Sequence, residues 1–315
     1  MNTPLLLIAW RRPHTLRQVI DAIRPVAPKR LYVACDGPNH ERPGEAEKVA
    51  ASRAVIELEI DWPCQIERLY SDVNQGCRLG VSRAITWFFE QVEEGIILED
   101  DCVPHPDFFG YCTSVLTRYR YNSRVWGVCG SNFQNGLKWG KGSYYFSTYP
   151  DPWGWATWRR CWKHYHDTSA SWDLFKSSGC FARSFTSLEE ASFWEGILDD
   201  FIHAGRPDTW DYQWFLTSWM NNGLHAWPNS SLVQNVGYGL HASHTFGENP
   251  FETDTLLGMP LVQHPLFIAP CHEADHNAFI TRFSHHQPVS LPSATKTSAI
   301  FHRLKHLVLR SIAKF

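Results

Sequence analysis

Five short apolar runs, at residues 4–10, 30–35, 64–70, 95–98 and 125–129, punctuate the first 130 residues of this 315-residue chain. They are rich in Val, Ile, Leu and Tyr, as strands buried in a parallel sheet are. Helical patterns separate them, at 15–26, more weakly at 44–58, then at 78–93 and 106–121. Pro13 precedes the first helix, Asp72 and Asn74 flank the start of the third, and Pro106-Asp107 opens the fourth. Alternation of this kind predicts an α/β fold. Its sheet should be mostly parallel, Rossmann-like and doubly wound, with right-handed crossovers placing helices on both faces.

Beyond residue 130 the alternation stops. Residues 131–175 are rich in Gly and Trp and include P-D-P-W-G-W-A-T-W at 150–158. Helical patterns resume at 188–204 and 211–222, followed by an extended stretch at 224–237. With no linker, repeat or low-complexity block, the chain divides into an α/β half at 1–130, a second half at 131–285 packed on the same sheet, and a tail at 286–315. The apolar share of 43% and charged share of 19% are those of a globular chain. Fifteen tryptophans are the unusual count; flat apolar faces suit cores, sugar rings and bases.

A formal net charge of −3 argues against nucleic acid as a partner. Nine cysteines without a CxxC pair read as reduced thiols in a cytoplasmic setting. The apolar run Leu5–Trp10 is shorter than a signal peptide requires, and Arg11 and Arg12 follow it instead of preceding it. No run is long enough to span a membrane. The tail is basic, however, and at 299–315 apolar residues recur at helical spacing opposite Arg303, His306, Arg310 and Lys314. That pattern suits either peripheral contact with the inner face of a membrane or a helix docked on its own domain.

In open α/β sheets ligands bind beyond the carboxyl ends of the strands. Three strand ends here carry polar punctuation: Trp10-Arg11-Arg12, Cys35-Asp36-Gly37 and Glu99-Asp100-Asp101. No GxGxxG follows the first strand and no GxxxxGK[ST] occurs, so a dinucleotide fold or a P-loop lacks support. Three consecutive carboxylates at the mouth of an apolar strand repel one another and resist desolvation. A hard divalent cation, Mn²⁺ or Mg²⁺, would relieve that repulsion, taking one or two carboxylates plus substrate phosphates. The alternative leaves Glu99 and Asp100 in solvent, with Asp101 capping the helix near 106.

The acidic stretch E-D-D-C-V-P-H-P-D-F-F-G-Y at 99–111 resembles that of N-acetylglucosaminyltransferase I and related sugar-nucleotide-dependent glycosyltransferases of the GT-A fold, including a bacterial branch. Further motifs follow in the same order: L-L-L-I-A-W-R-R at 5–12, V-A-C-D-G at 33–37, P-W-G-W at 152–155 with Trp162, W-D-Y-Q-W at 210–214, and N-V-G-Y-G-L-H-A-S-H-T at 235–245. Together they cover about residues 4–250. The chain departs from the pattern at 163–209, which reads as an insertion, and W-D-Y-Q-W lacks the family's second aspartate.

The resemblance implies an inverting, metal-dependent transfer of a sugar such as N-acetylglucosamine from a UDP-sugar to an acceptor hydroxyl, in cell-surface glycan biosynthesis. The acceptor could be a glycan, a lipid-linked molecule or a protein. It places Arg12 against the nucleotide, Asp36 at the base, Glu99 and Asp100 at the donor sugar or ribose, and Asp101 on the metal. Asp211 is then the general base, with an N-cap as its plainer role and Asp173 as a substitute. His244, more than His241, is a metal ligand or phosphate contact on a Gly-rich loop. Arg83 is either a donor contact or a solvated helix residue. Trp153, Trp155 and Trp158 divide between core and sugar platform, with Trp155 the one expected to face the pocket.

Three rival functions remain. H-E-A-D-H at 272–276 satisfies the HExxH zinc-protease pattern, but no acidic ligand lies beyond Asp275, and Phe279 and Arg282 break the metzincin continuation. A nucleotidyltransferase would share the fold, although A-W-R-R-P-H lacks the Gly-rich loop of such enzymes. A non-catalytic sugar-nucleotide-binding module would not need both Asp101 and Asp211.

Overall fold

The computed structural model describes residues 1–165, 169–205, 208–238, 256 and 258–284. The α/β half runs β1 (Leu5–Ala9), α1 (Pro13–Ile23), β2 (Arg30–Cys35), α2 (Glu45–Glu59), β3 (Gln65–Tyr70), α3 (Gly76–Gln91), β4 (Glu94–Glu99), β5 (Cys102–Pro104), α4 (Pro106–Tyr119) and β6 (Val125–Cys129). There follow β7 (Tyr144–Ser147), β8 (Trp155–Trp158), α5 (Arg159–Trp162), α6 (Ser169–Ser177), α7 (Leu188–Ala204), α8 (Asp211–Met220), β9 (Leu224–Pro228), β10 (Val233–Asn235) and α9 (His272–Ala278).

Eight strands form one sheet in the order β3-β2-β1-β4-β8-β6-β9-β7, and β5 pairs separately with β10. β1 is parallel to both β2 and β4, β2 to β3, and β6 to β9. β8 runs antiparallel to β4 and β6, and β7 antiparallel to β9. Six strands therefore point one way, in the Rossmann-like α/β arrangement expected. The run at 125–129 is a strand of this sheet, but it does not adjoin β4. The Trp-rich segment returns between them as β8, a strand that no apolar run announced.

Local chemistry accounts for the elements. All of β1, L-L-L-I-A, is buried, as a strand covered by helices on both faces must be. α1 begins with Pro13 in its first turn and buries Leu16, Val19, Ile20 and Ile23 along one stripe. α7 spans the 188–204 expected of it. Ser187 accepts from the Glu189 and Glu190 amides at 3.1 and 3.3 Å, and Gly205, at φ 63°, closes the helix.

Two cores result. The first follows the sheet through residues such as Leu6, Val33 and Ile97. The second gathers Trp172, Trp194, Phe215, Trp219 and Trp227, joining α6 and α7 to α8, β9 and α9. Each such side chain, fully buried, contributes about 1.5–3 kcal/mol. The stretch at 163–209 thus supplies two helices to this second core. All nine cysteines are free thiols. Among the described residues no helix is long and apolar enough to cross a membrane. The basic pattern at 299–315 lies outside the described residues.

Candidate functional site

The chain runs β1, β2, β3 toward one edge of the sheet and then returns to lay β4 on the other side of β1. Crevices in open α/β sheets form at such a reversal of strand order. Ile8 of β1 pairs with Glu99 of β4, so the residues leaving both strands meet there. Arg12, the last residue before α1, lies between the acids. Its Nη1 donates to Asp101 Oδ2 at 2.7 Å, and its Nη2 pairs with Asp100 Oδ1. The Trp10 amide donates to Asp100 Oδ2 at 3.0 Å.

One guanidinium therefore answers much of the repulsion in the triplet. Burial opposes the charge of Arg12, yet Asp100 and Asp101 outweigh it and raise the guanidinium further above its ordinary range. Asp100 is pushed up by burial, against the pull of Arg12. Glu99 is half-buried and has the least help. Desolvation, followed by repulsion from Asp101, pushes it up to about 8 against the pull of Arg12, with Asp100 and Asp211 adding to the rise. β10 closes over the pair: Asn235 lies opposite Cys102, and a Cβ on Gly237 would collide with Asp101 Oδ2 and sit 2.8 Å from Arg12 Nη1.

At the ends of β2 and β3, Asp36 holds a turn together. Its carboxylate accepts from the Gly37 amide at 2.8 Å, the Gln75 amide at 3.0 Å and Asn74 Nδ2 at 2.9 Å. Burial raises the carboxyl, and the amides of Gly37, Gln75 and Gly76 hold it back. Gly37 has no room for a side chain, because a Cβ would overlap the Val73 backbone. Arg83 on α3 donates to Gln75 Oε1 at 2.9 Å, at the exposed rim of the same turn.

Asp211 reaches this region from the other half of the chain. It is the first residue of α8, and its Oδ1 accepts from the Thr209 hydroxyl and from the Tyr212 amide at 3.0 Å. The N-cap position belongs to Trp210. Trp155 does not face the cavity as expected. It is 2% exposed, stacks on Trp210 with ring centroids 5.6 Å apart, and packs against Trp214 at 5.5 Å. Sheet-strand residues pointing into a covered face become core, so Trp155 buttresses the start of α8. Trp153 and Trp210 line the cavity instead. Tyr165 reinforces the same corner by donating from its hydroxyl to the Trp210 carbonyl at 3.0 Å.

These elements enclose a cavity of about 570 Å³, lined by Arg12, Asp36, Arg83, Glu99, Asp100, Asp101 and Asp211, among others. It also takes in Asp208, Arg42 and Arg282, which pattern reading missed. Asp208 was hidden by its exposed loop, although P-D-T-W-D places it three residues before Asp211. Cys77 sits among the acids: burial pushes its thiol up, and Glu99, Asp211 and Asp208 push it further. Asp173 lies apart on α6, 65% exposed and facing His203. His241 and His244 lie outside the described residues.

A protein-only cage for a metal is not assembled: among the described residues no three His, Cys, Asp or Glu side chains converge on one point. Asp101 nevertheless lines the cavity, and its Oδ1 meets the weak thiol donor of Cys102 at 3.5 Å. A single carboxylate anchor fits Mn²⁺ or Mg²⁺ completing its shell with phosphate oxygens and water. The HExxH stretch forms α9, where His272 and Glu273 are exposed. His276 pairs with Glu190 at 2.7 Å, and the buried Asp275 accepts from Ser147 and Thr148.

No protein-family model matches the chain, and no curated protein does. Solved structures resemble part of the chain at low identity. A cytidylyltransferase from Leptospira borgpetersenii is 8% identical over 52% of this chain and 63% of its own, with a TM-score of 0.32. The mannosyltransferase PcManGT from Pyrobaculum calidifontis, solved with GDP-Man and Mn²⁺, is 12% identical over 51% and 46%, with a TM-score of 0.34. A UDP-glucose pyrophosphorylase complexed with UDP-glucose is 9% identical over 52% and 79%, with a TM-score of 0.32. The chain thus spans less than two thirds of the length of the first two.

Proposed function

We propose that this protein is an inverting glycosyltransferase that moves a sugar from a nucleotide-sugar donor, a UDP-sugar by resemblance, to an acceptor hydroxyl. The observation that carries the reading is one cavity shared by the strand-end residues Arg12, Asp36 and Glu99–Asp101 and by Asp211 from a separate helix. The turn at 74–76, pinned by Asp36, forms the nucleotide end. The acids and Arg12 mark the diphosphate and sugar end.

In the transfer, Asp211 takes the proton of the acceptor hydroxyl as that oxygen attacks the anomeric carbon from the face opposite the leaving group. The bond between that carbon and the diphosphate breaks, and its electron pair departs with the nucleoside diphosphate. Glu99 and Asp100 orient the donor's hydroxyls. A divalent cation, held by Asp101 when bound, supplies Lewis acidity toward the departing diphosphate.

Asp211→Asn tests this assignment. It should leave nucleoside diphosphate binding within about twofold while lowering transfer by roughly 10²–10⁴-fold, the range of a positioned general base. Binding is measured by calorimetry across a nucleotide panel with Mn²⁺. Transfer at the wild-type rate in Asp211→Asn moves the base elsewhere. Binding of no nucleoside diphosphate defeats the whole reading, and pyrophosphate-releasing turnover of a nucleoside triphosphate would favour a nucleotidyltransferase.

A further inference from the structure

The cavity has two unlike walls. Around Arg12, Asp36 and the acidic triplet it is polar. Toward the second core it is lined by Trp153, Phe193, Ile197, Tyr212, Tyr238 and Phe283, all half-buried. Five of these are the outer faces of side chains packed against the second core; Tyr238 meets Trp153 edge-on at 5.9 Å. Phe193 and Ile197 lie four residues apart on α7, hence on one helix face. Two peptide steps join the walls. Asp211 precedes Tyr212, and Gly237, packed on Asp101 and Arg12, precedes Tyr238.

The aromatic wall offers ring faces and an aliphatic side chain rather than charged groups. The one cation among its described residues, Arg282, is ion-paired with buried Asp151 and held over the rings of Phe133 at 3.9 Å and Trp153 at 4.5 Å. That pairing removes the net charge that would draw an anion. Among the described residues the Tyr238 hydroxyl is buried without a hydrogen-bond partner. A wall of this composition recognises apolar surface, with a few polar groups fixing orientation.

We infer that this aromatic lobe is the acceptor subsite, and that the acceptor carries an uncharged alkyl or aryl portion beside the hydroxyl presented to Asp211. The inference rests on the glycosyl-transfer reading and names the acceptor class for that same site. Continuity of the cavity ties the occupant to the reaction, because a molecule seated against Phe193 and Ile197 shares its enclosure with Asp211.

The test uses the full chain with Mn²⁺ and whichever of UDP or GDP binds. Methyl and n-octyl β-D-glucopyranoside, the latter below its micelle concentration, serve as uncharged probes of the lobe in calorimetry. The octyl glycoside should bind at least about tenfold more tightly, a gain that burial of about two methylenes supplies. Ile197→Asp should erase the difference and Ile197→Leu should keep it, with nucleotide affinity equal in both. If Ile197→Asp does not fold by circular dichroism, Phe193→Ala carries the same expectation. Equal binding of the two probes to the nucleotide-loaded protein overturns the inference, as does a preference that survives the folded Ile197→Asp or Phe193→Ala. Failure of every nucleotide to bind is a separate outcome: it removes the glycosyl-transfer reading first, and the acceptor assignment with it.

Discussion

Replacing Arg12 with Met keeps its bulk and removes its charge, leaving Asp100 and Asp101 without their shared partner. The side chain of Arg12 is 14% exposed, and those of Asp100 and Asp101 are 4% and 11% exposed. Breaking a buried pair by removing one partner costs about 3–5 kcal/mol, because the remaining charge stays desolvated. For a chain of this size that corresponds to a fall in Tm of about 5–8 °C.

The pH dependence fixes the cause. Without Arg12 the folded-state pKa of Asp100 rises further above its unfolded value, so the folded state binds protons more readily than the unfolded chain. Stability of the variant is then best retained in acid and lost as pH rises through that pKa. The deficit relative to wild type, read by urea denaturation, should be small near pH 4 and full at pH 7. Millimolar Mn²⁺ should restore part of it at pH 7, since a cation can take the vacated role. A deficit under about 1 kcal/mol at pH 7, or one independent of pH, refutes the account of Arg12 as the resident counter-charge.

Gly237→Ala should act through the same contact. Its Cβ collides with Asp101, so it should cost several kcal/mol in wild type and markedly less in Arg12→Met, a non-additivity read from the double-mutant cycle. Asp275 gives a second pH signature. Desolvation raises its folded pKa from 3.8 to about 6, so its contribution is fully present below about 3.8 and is lost as pH rises to about 6. The loss is of order 3 kcal/mol at 1.36 kcal/mol per unit. Asp275→Asn should flatten the stability curve across that window; an unchanged slope in thermal melts from pH 4 to 7 would place the proton elsewhere.

The α/β half was legible because burial on both faces leaves an unmistakable pattern. L-L-L-I-A and G-I-I-L can only be strands inside a covered sheet, and Pro13 and Pro106 open α1 and α4. β8 was not legible. W-A-T-W is aromatic, four residues long and lies in a Trp-rich stretch without period, and only its neighbours β4 and β6 make it a strand. That same ambiguity misassigned Trp155. In a strand, alternate residues face opposite sides, and nothing in P-W-G-W-A-T-W says which indole meets the cavity and which meets Trp210. The pairing of Arg282 with Asp151 was equally hidden, since 131 residues separate the two.

The acidic triplet illustrates what only the fold adds. Three adjacent carboxylates suit either a metal or solvent, and the residue that answers them lies 87 positions before Glu99, between β1 and α1. Sequence separation concealed what the β1–β4 pairing makes inevitable, because parallel neighbours with Ile8 opposite Glu99 bring their trailing residues to one point. Arg12 thus supplies from within the chain the positive charge that the triplet lacks. The guanidinium is bound into the floor of the cavity by two carboxylates, Asp100 and Asp101.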